Sequence, residues 1–202
     1  MAQVTPFPSP RRQQRSRWIT AAAWSGGFVA LLWLVELLDV LSGNQLDDDG
    51  IRPLDPDGLV GVLLAPFLHG SWAHLLSNTG PLLVLGFLVL LSGVGRWLQV
   101  MITVMVVSGL GTWVVGGAGT VHIGASGVVF GLLAYLLVRG WFARDLKQIA
   151  VGVLVFLVYG SLLWGVLPTQ VGVSWQAHLF GAVGGVVAAW MLDRREAPAL
   201  RG

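Results

Sequence analysis

The sequence predicts an all-α membrane protein with six membrane-spanning helices, and three observations lead to this prediction. Hydrophobic residues make up 55% of the 202-residue chain and charged residues only 11%, and the mean hydropathy is +0.76. Six segments are apolar enough and long enough to cross a hydrocarbon layer of roughly 30 Å. If these spans alternate in direction, nearly all Lys and Arg residues fall on one side of the membrane.

The predicted spans follow one another through short connections, except for one long loop after the first span. They cover approximately residues 18–41, 72–91, 97–116, 126–142, 148–167 and 174–192. A further apolar segment, GLVGVLLAPFLHG at 58–70, is too short to cross and ends in Pro and Gly. This segment is therefore expected to be an interfacial or partly inserted piece of the long loop.

Together the spans define a membrane domain over residues 18–192. The preceding tail, residues 1–17, is polar, basic and contains proline, and it is predicted to be disordered. The first apolar run is too long for the core of a signal peptide, so it is interpreted as a retained helix. Residues 193–202 are predicted to form a C-terminal tail.

The distribution of basic residues predicts the orientation of the chain. Only Arg52 lies on the outer side, in a loop that is rich in aspartate. By the positive-inside rule, both termini are cytoplasmic. The minimal size of the chain favours a prokaryotic cell (inner) membrane, with membrane lipids as the surroundings. The basic residues assigned to the inner side are Arg11, Arg12, Arg15, Arg17, Arg96, Arg139, Arg144, Lys147, Arg194, Arg195 and Arg201.

The composition also argues against several kinds of function. There are no cysteines, which removes thiol catalysis, thiolate metal sites and disulfides. A formal net charge of +2 gives no indication of nucleic-acid binding. The spacing of His69 and His74 does not place both rings on one helical face, and no carboxylate joins them. We therefore expect neither a metal ion nor another cofactor.

The rare polar residues of the spans are predicted to lie at one depth. The second, fourth and sixth spans run in the same direction, and each begins with polar side chains: His74 and Asn78, Ser126, and His178. About 13 residues separate Ser126 from the basic end of its span, which gives roughly 20 Å of helix in a layer of about 30 Å. The glycine-rich segment 116–125 must therefore dip into the membrane as a re-entrant loop, which is tolerated where it lines a wet cavity.

This arrangement predicts the chemistry of a serine nucleophile. His178 can take the proton of the Ser126 hydroxyl as that oxygen attacks, and no Asp or Glu lies at matching depth, so a dyad is expected. The backbone N–H of Ser126, at a helix start, together with His74 and Asn78 on one face, can form an oxyanion hole. Gly124 and Gly127 would allow the strained turn that exposes these groups.

Glycine spacing supports the convergence of the fourth and sixth spans. Gly127 and Gly131 form one GxxxG pair, and Gly181 and Gly185 form another. Small residues at this spacing let two helix backbones approach closely, which would bring Ser126 beside His178. Each pair alone is also compatible with an ordinary helix contact.

Three further residues are assigned supporting or structural positions. His69 is expected to order the loop that enters the second span, and His122 to be a hydrogen-bonded residue of the re-entrant loop. Phe130, one turn beyond Ser126, is expected to pack on the His178 ring, although ordinary core packing explains it equally well.

Three segments of the chain resemble the signature segments of the rhomboid intramembrane serine proteases. HGSWAHLLSN at 69–78 is similar to that family's His-x4-His-x3-Asn, GASGVVFG at 124–131 to its Gly-x-Ser-Gly, and AHLFGAVGG at 177–185 to its Ala-His-x2-Gly-x3-Gly. The resemblance covers roughly residues 18–192. It implies a six-helix rhomboid bundle and hydrolysis of peptide bonds within the membrane.

The same resemblance implies a role for each matching residue and a class of substrate. Ser126 would be the nucleophile and His178 the general base, with His74, Asn78 and the Ser126 N–H as the oxyanion hole. The implied substrates are single-pass membrane proteins, cut near the outer end of a helix that unwinds easily. The chain lacks the Trp-Arg pair that many members carry in the first external loop.

Two other classes of function are compatible with parts of this pattern. A non-catalytic rhomboid-like protein would bind membrane clients without cleaving them, and would need the same fold. A small carrier or channel would place polar groups through the full depth of the membrane or show related inverted halves, whereas here the polar residues cluster at one depth.

Overall fold

The computed structural model describes residues 10–169 and 172–194 and contains six helices long and apolar enough to span a membrane. Within those residues there is no β-strand, and one isolated bridge joins Ile51 to His122. The predicted all-α architecture with six spans is therefore confirmed. The α-helices are α1 (Pro10–Ser42), α2 (Gly61–Leu64), α3 (Trp72–Leu90), α4 (Val94–Val115), α5 (Ser126–Ala143), α6 (Leu146–Tyr159) and α7 (Trp175–Asp193).

The first helix begins earlier than the sequence analysis predicts. α1 starts at Pro10, so residues 10–17 of the predicted tail are helical, whereas residues 1–9 lie outside the described part of the chain. The physical reason is local, because proline is well tolerated in the first turn of a helix and neither Pro nor Gly occurs between residues 11 and 25. Residues 195–202 of the predicted C-terminal tail also lie outside the described residues.

Side-chain caps fix the beginnings of three spanning helices. Ser71 caps α3 by accepting a hydrogen bond from the His74 N–H, and Asp145 caps α6 by accepting from the backbone of Lys147. Ser174 caps α7 in the same way, with its Oγ accepting from the N–H of Ala177. These caps satisfy backbone donors that have no partner within the helix.

α5 is the central helix of the bundle. Within the protein, 72% of the residues of this span are buried. The corresponding share is 33% in the most apolar part of α7 and 11% in the fifth span, in which α6 continues as a 3-10 helix to Val166. α7 packs along α5 with almost no space between the backbones. A Cβ atom on Gly181 would collide with the carbonyl of Gly127, and one on Gly185 with the carbonyl of Gly131. Both glycine pairs therefore lie at one helix contact.

A buried polar cluster ties the helices together at the end of the bundle away from Ser126. The Asp193 carboxylate, fully buried at the end of α7, lies 2.9 Å from Nη1 of Arg96 and 4.0 Å from Nη2 of Arg139. Arg139 also donates from Nε to Oε1 of Gln148 and from Nη2 to Oγ of Ser92. Arg139, which the sequence analysis assigns to the inner side, lies inside α5, is buried and has its charge paired with Asp193.

The long loop after α1 packs against the re-entrant loop between α4 and α5. Its apolar segment folds into 3-10 helices at Pro56–Val60 and Ala65–Phe67 with α2 between them, so it does not span the membrane. The Ala65 carbonyl accepts a hydrogen bond of 2.8 Å from the N–H of Gly124. This bond holds the end of the re-entrant loop just before Ser126, which is the first residue of α5.

Candidate active site

Ser126 and His178 lie within hydrogen-bonding distance of each other. Ser126 begins α5, His178 lies in the first turn of α7, and the distance from Ser126 Oγ to His178 Nε2 is 2.8 Å. His178 is 7% exposed, so its ring lies largely inside the protein. The close glycine contact between α5 and α7 accounts for this proximity, because a wider helix separation would move the two side chains apart.

The other ring nitrogen of His178 determines which atom carries the proton. Nδ1 lies 2.8 Å from the carbonyl oxygen of Gly165, which can only accept a hydrogen bond. Nδ1 therefore holds the proton of the neutral ring, and Nε2 is left as the acceptor for the Ser126 hydroxyl. Sequence reasoning missed Gly165, because a backbone carbonyl on a 3-10 helix leaves no side-chain signature.

Phe130 stacks on the His178 ring. The ring centroids are 4.1 Å apart and the planes are 7° from parallel. Phe130 is 4% exposed and lies one helical turn after Ser126 on α5. The imidazole is therefore held on one face by an aromatic ring and at its edge by the Gly165 carbonyl.

Gly124 and His74 form the wall of the site next to Ser126. Gly124 has a φ of +116°, a conformation that favours glycine. A Cβ atom at this position would lie 2.5 Å from Cε1 and 2.7 Å from Nε2 of His74. The loop therefore requires glycine here for two reasons, its backbone angle and the close approach of the His74 ring.

Asn78 is buried, but its side-chain amide is engaged within its own helix. Its Nδ2 donates a hydrogen bond of 3.0 Å to the carbonyl of His74, one turn earlier. The two residues lie one helical turn apart on α3, the spacing at which side chains share a helix face. The assignment of both as oxyanion donors stays a prediction.

His69 contacts the loop before α5 directly. Its ring is 1% exposed, Nε2 accepts a hydrogen bond of 3.2 Å from the Ala125 N–H, and the ring meets that of His74 edge-on at 5.1 Å. Burial, followed by the neighbouring His74, lowers the pKa of His69 to about 4. His69 lies in the loop that enters α3, and it also supports the residue that precedes Ser126.

Ser108 is a second residue that sequence reasoning did not single out. It is buried on α4, and its Oγ donates a hydrogen bond of 2.8 Å to the carbonyl of Ala177, next to His178. A Cβ atom on Gly127 would lie 2.5 Å from the same hydroxyl. Ser108 thus joins α4 to the start of α7 at the level of Ser126. A single serine in an apolar helix has no distinguishing pattern in the sequence.

Within residues 10–169 and 172–194, no three His, Asp or Glu side chains are grouped closely enough to hold a metal ion. The groups described above supply a hydroxyl, an imidazole and hydrogen-bond donors from the backbone and side chains.

Comparison with known proteins gives the family to which this fold belongs. A family model described as the rhomboid domain matches residues 56–195. The chain belongs to the rhomboid family and is an integral membrane protein.

Three relatives illustrate the extent of the similarity. An uncharacterized protein of Mycobacterium tuberculosis is 50% identical over 204 aligned residues, covering 96% of this chain and 85% of the relative. An uncharacterized protein of Mycobacterium leprae is 46% identical, covering 94% of this chain and 78% of the relative. Rhomboid-like protein 11, chloroplastic, of Arabidopsis thaliana is 34% identical, covering 64% of this chain and 51% of the relative.

Proposed function

We propose that this protein is an intramembrane serine endopeptidase that hydrolyses peptide bonds in or near the transmembrane helices of other membrane proteins. The observation that carries the proposal is the hydrogen bond of 2.8 Å between Ser126 Oγ and His178 Nε2, with the ring tautomer set by Gly165. A serine hydroxyl becomes an effective nucleophile when a correctly protonated base accepts its hydrogen during attack. Membership of the rhomboid family supports the same activity.

In the first half of the reaction, Ser126 Oγ attacks the carbonyl carbon of the scissile peptide bond. Its proton passes to Nε2 of His178, and the carbonyl oxygen becomes an oxyanion. His178 then gives that proton to the leaving nitrogen, so the C–N bond breaks and an ester to Ser126 remains. The stacked Phe130 and the Gly165 carbonyl keep the ring in place through both transfers.

In the second half, water replaces the leaving amine. His178 Nε2 takes a proton from the water as its oxygen attacks the ester carbonyl, and returns that proton to Ser126 Oγ as the ester bond breaks. The products are a carboxylic acid and the free serine. No carboxylate of the enzyme takes part in this sequence.

The oxyanion is stabilised by donors near Ser126. The backbone N–H of Ser126 belongs to the unpaired group at the positive end of the α5 dipole. His74 lies against Gly124 and can donate from its ring, and Asn78 joins by exchanging its bond to the His74 carbonyl for one to the oxyanion. Each lost donor of this kind costs about 10²–10³-fold in kcat.

The proposed substrates are single-pass transmembrane proteins in the membrane of a prokaryotic cell. By the positive-inside rule both termini of the protease face the cytoplasm, which places Ser126 toward the outer leaflet. A substrate helix must unwind there, because an intact helix hides its peptide carbonyls in internal hydrogen bonds. Cleavage is therefore expected near the outer end of a helix with weak helix formers.

Cleavage of a fluorescently labelled single-pass substrate in proteoliposomes tests the proposal. Ser126→Ala and His178→Ala are each expected to reduce cleavage by about 10³-fold or more, while thermal unfolding in detergent remains close to that of the wild type. Ser77→Ala is the matched control, because Ser77 is exposed and its hydroxyl bonds only the His74 carbonyl of its own helix.

The result decides between the protease and a non-catalytic binder. Cleavage by Ser126→Ala at the wild-type rate would exclude the serine mechanism. Co-purification of an intact client with wild type and Ser126→Ala alike, without cleavage by either, would favour the binder.

A further inference from the structure

The ring of His122 lies between two hydroxyl groups from different parts of the chain. Its Nε2 is 2.9 Å from Oγ1 of Thr120 in the re-entrant loop, and its Nδ1 is 2.7 Å from Oγ of Ser174. Ser174 caps α7, and its carbonyl accepts a hydrogen bond from the N–H of His178. The His122 ring therefore connects the loop that leads to Ser126 with the helix turn that carries the imidazole.

The positions of the hydroxyl hydrogens determine the donor and the acceptor in each of these hydrogen bonds. Thr120 donates its only hydroxyl hydrogen to the carbonyl of Gly117 at 2.6 Å, so its Oγ1 can only accept from the His122 ring. Nε2 of His122 therefore holds the proton of the neutral ring. Nδ1 is left as the acceptor for the Ser174 hydroxyl. Burial lowers the pKa of His122, which favours this neutral form.

The backbone of His122 joins the same loop to a third segment. Its N–H and its carbonyl exchange two hydrogen bonds of 2.9 Å with Ile51 of the long loop. These bonds do not involve the ring, so a substitution of the side chain leaves them in place. A His122 variant is therefore expected to fold, and to lose the bond of the ring to Ser174 on α7 together with its bond to Thr120 within the loop.

We infer that His122 is a positioning residue, which accepts a hydrogen bond from Ser174 and thereby fixes the loop that leads to Ser126 against the first turn of the helix carrying His178. Its ring acts through the relative position of the two reacting side chains. This inference rests on the proposed protease function. A displacement of about 1 Å between reacting groups can cost on the order of 10²-fold in rate.

The kinetic test compares three variants with the wild type in the proteoliposome assay. His122→Ala is expected to lower kcat by about tenfold or more and to change KM by less than about twofold, because the ring positions catalytic groups without binding substrate. His122→Asn is expected to stay within about threefold of wild type, since its amide oxygen can replace Nδ1 as acceptor. Thr120→Val, which removes both bonds of the Thr120 hydroxyl within the loop and leaves the bond between His122 and Ser174 in place, is the matched control and is also expected to stay within about threefold.

A double variant separates the effect on kcat of the bond between His122 and Ser174 from the effect of the α7 cap. Ser174→Ala loses both the cap and the bond to Nδ1, so its kcat is expected to fall. Adding His122→Ala to Ser174→Ala is expected to cause no further loss, because the shared bond is already absent. Independent, multiplicative losses would overturn the inference, as would equal activity of His122→Ala and wild type, or failure of His122→Asn to restore kcat.

Hydrogen–deuterium exchange provides a measurement that does not depend on cleavage. His122→Ala is expected to speed exchange at the amides of residues 122–126 and 175–178, and Thr120→Val is expected to leave them unchanged. If the wild type failed to cleave any substrate, the protease proposal would fall. Faster exchange in His122→Ala would still support the conclusion that His122 holds the loop before Ser126 against α7. Unchanged exchange would overturn it.

Discussion

The carbonyl oxygen of Gly165 accepts a hydrogen bond of 2.8 Å from Nδ1 of His178, on the side of the ring opposite Ser126. In a serine protease triad an aspartate occupies this position and holds the histidine in the tautomer that can accept the serine proton. Here a backbone carbonyl supplies the same constraint without a charge. The orientation of the imidazole therefore depends on the path of the chain at Gly165.

A side chain at position 165 is expected to impair the reaction. A Cβ atom there would lie 2.8 Å from Cζ of Phe130 and 3.2 Å from Nδ1 of His178. Gly165→Ala should push the stacked rings away from the carbonyl and lower kcat by about tenfold or more, measured as cleavage of a labelled membrane substrate. Gly95→Ala, where a Cβ atom meets nothing within 4 Å, should cleave like the wild type. Equal rates for both variants would show that the ring tolerates the added methyl group.

The contact between α5 and α7 is expected to tolerate no added atom. Gly181→Ala should destabilise the protein by about 1–3 kcal/mol, since its Cβ would collide with the Gly127 carbonyl and the helices would have to separate. Gly26→Ala is the matched control on α1, because a Cβ there meets nothing within 4 Å, and better helix propensity should stabilise by up to about 1 kcal/mol. Thermal unfolding in detergent measures both changes. A shift of the same sign in the two variants would contradict the prediction.

Loss of the buried carboxylate at the end of α7 is expected to destabilise the bundle. Asp193→Ala would remove the buried carboxylate that lies 2.9 Å from the guanidinium of Arg96 and 4.0 Å from that of Arg139. Removing one partner of a buried ion pair typically costs about 3–5 kcal/mol. Asp57→Ala changes an exposed carboxylate of the long loop and should alter stability by less than about 0.5 kcal/mol. Similar unfolding temperatures for the two variants would argue against a structural role of Asp193.

Acid is expected to destabilise the protein partly through His69. Burial lowers the pKa of this histidine to about 4, whereas the unfolded chain has the ordinary value of 6.5. Between these two values the unfolded state binds more protons, so stability is fully present above pH 6.5 and falls as the pH drops toward 4. The free energy of unfolding that is lost through His69 is on the order of 3 kcal/mol.

A comparison with His69→Gln isolates this contribution. Glutamine can accept a hydrogen bond from the Ala125 N–H and does not titrate. The unfolding temperature of the variant should therefore fall less between pH 7 and pH 4 than that of the wild type. Parallel pH dependence in the two proteins would show that His69 does not contribute.

The fold could be predicted from the sequence because the relevant signals are long and repeated. The length of each apolar segment predicts a span. This holds even for the fifth span, which is little buried within the protein, because a side chain that faces lipid is as apolar as one that faces the protein interior. The start of α1 was placed too late, because a helix can continue beyond the membrane boundary that apolar length marks.

The candidate site could be predicted from sequence only as far as side chains mark it. Ser126 and His178 are distinctive because polar groups are rare in these spans, and the structure brings them together. The Gly165 carbonyl has no residue signature, and Ser108 resembles any serine in a membrane helix. The bond between His122 and Ser174 joins residues 52 positions apart and depends on how two loops meet.

A peptide carbonyl behind the imidazole responds to acidity differently from a carboxylate. An aspartate in that position could itself take up a proton and release the ring, whereas the oxygen of Gly165 has no ionisation in water. The acidic limb of the proposed reaction's rate profile would then contain no titration of the group behind the ring, and the loss of rate would come from the histidines of the site, His69 among them.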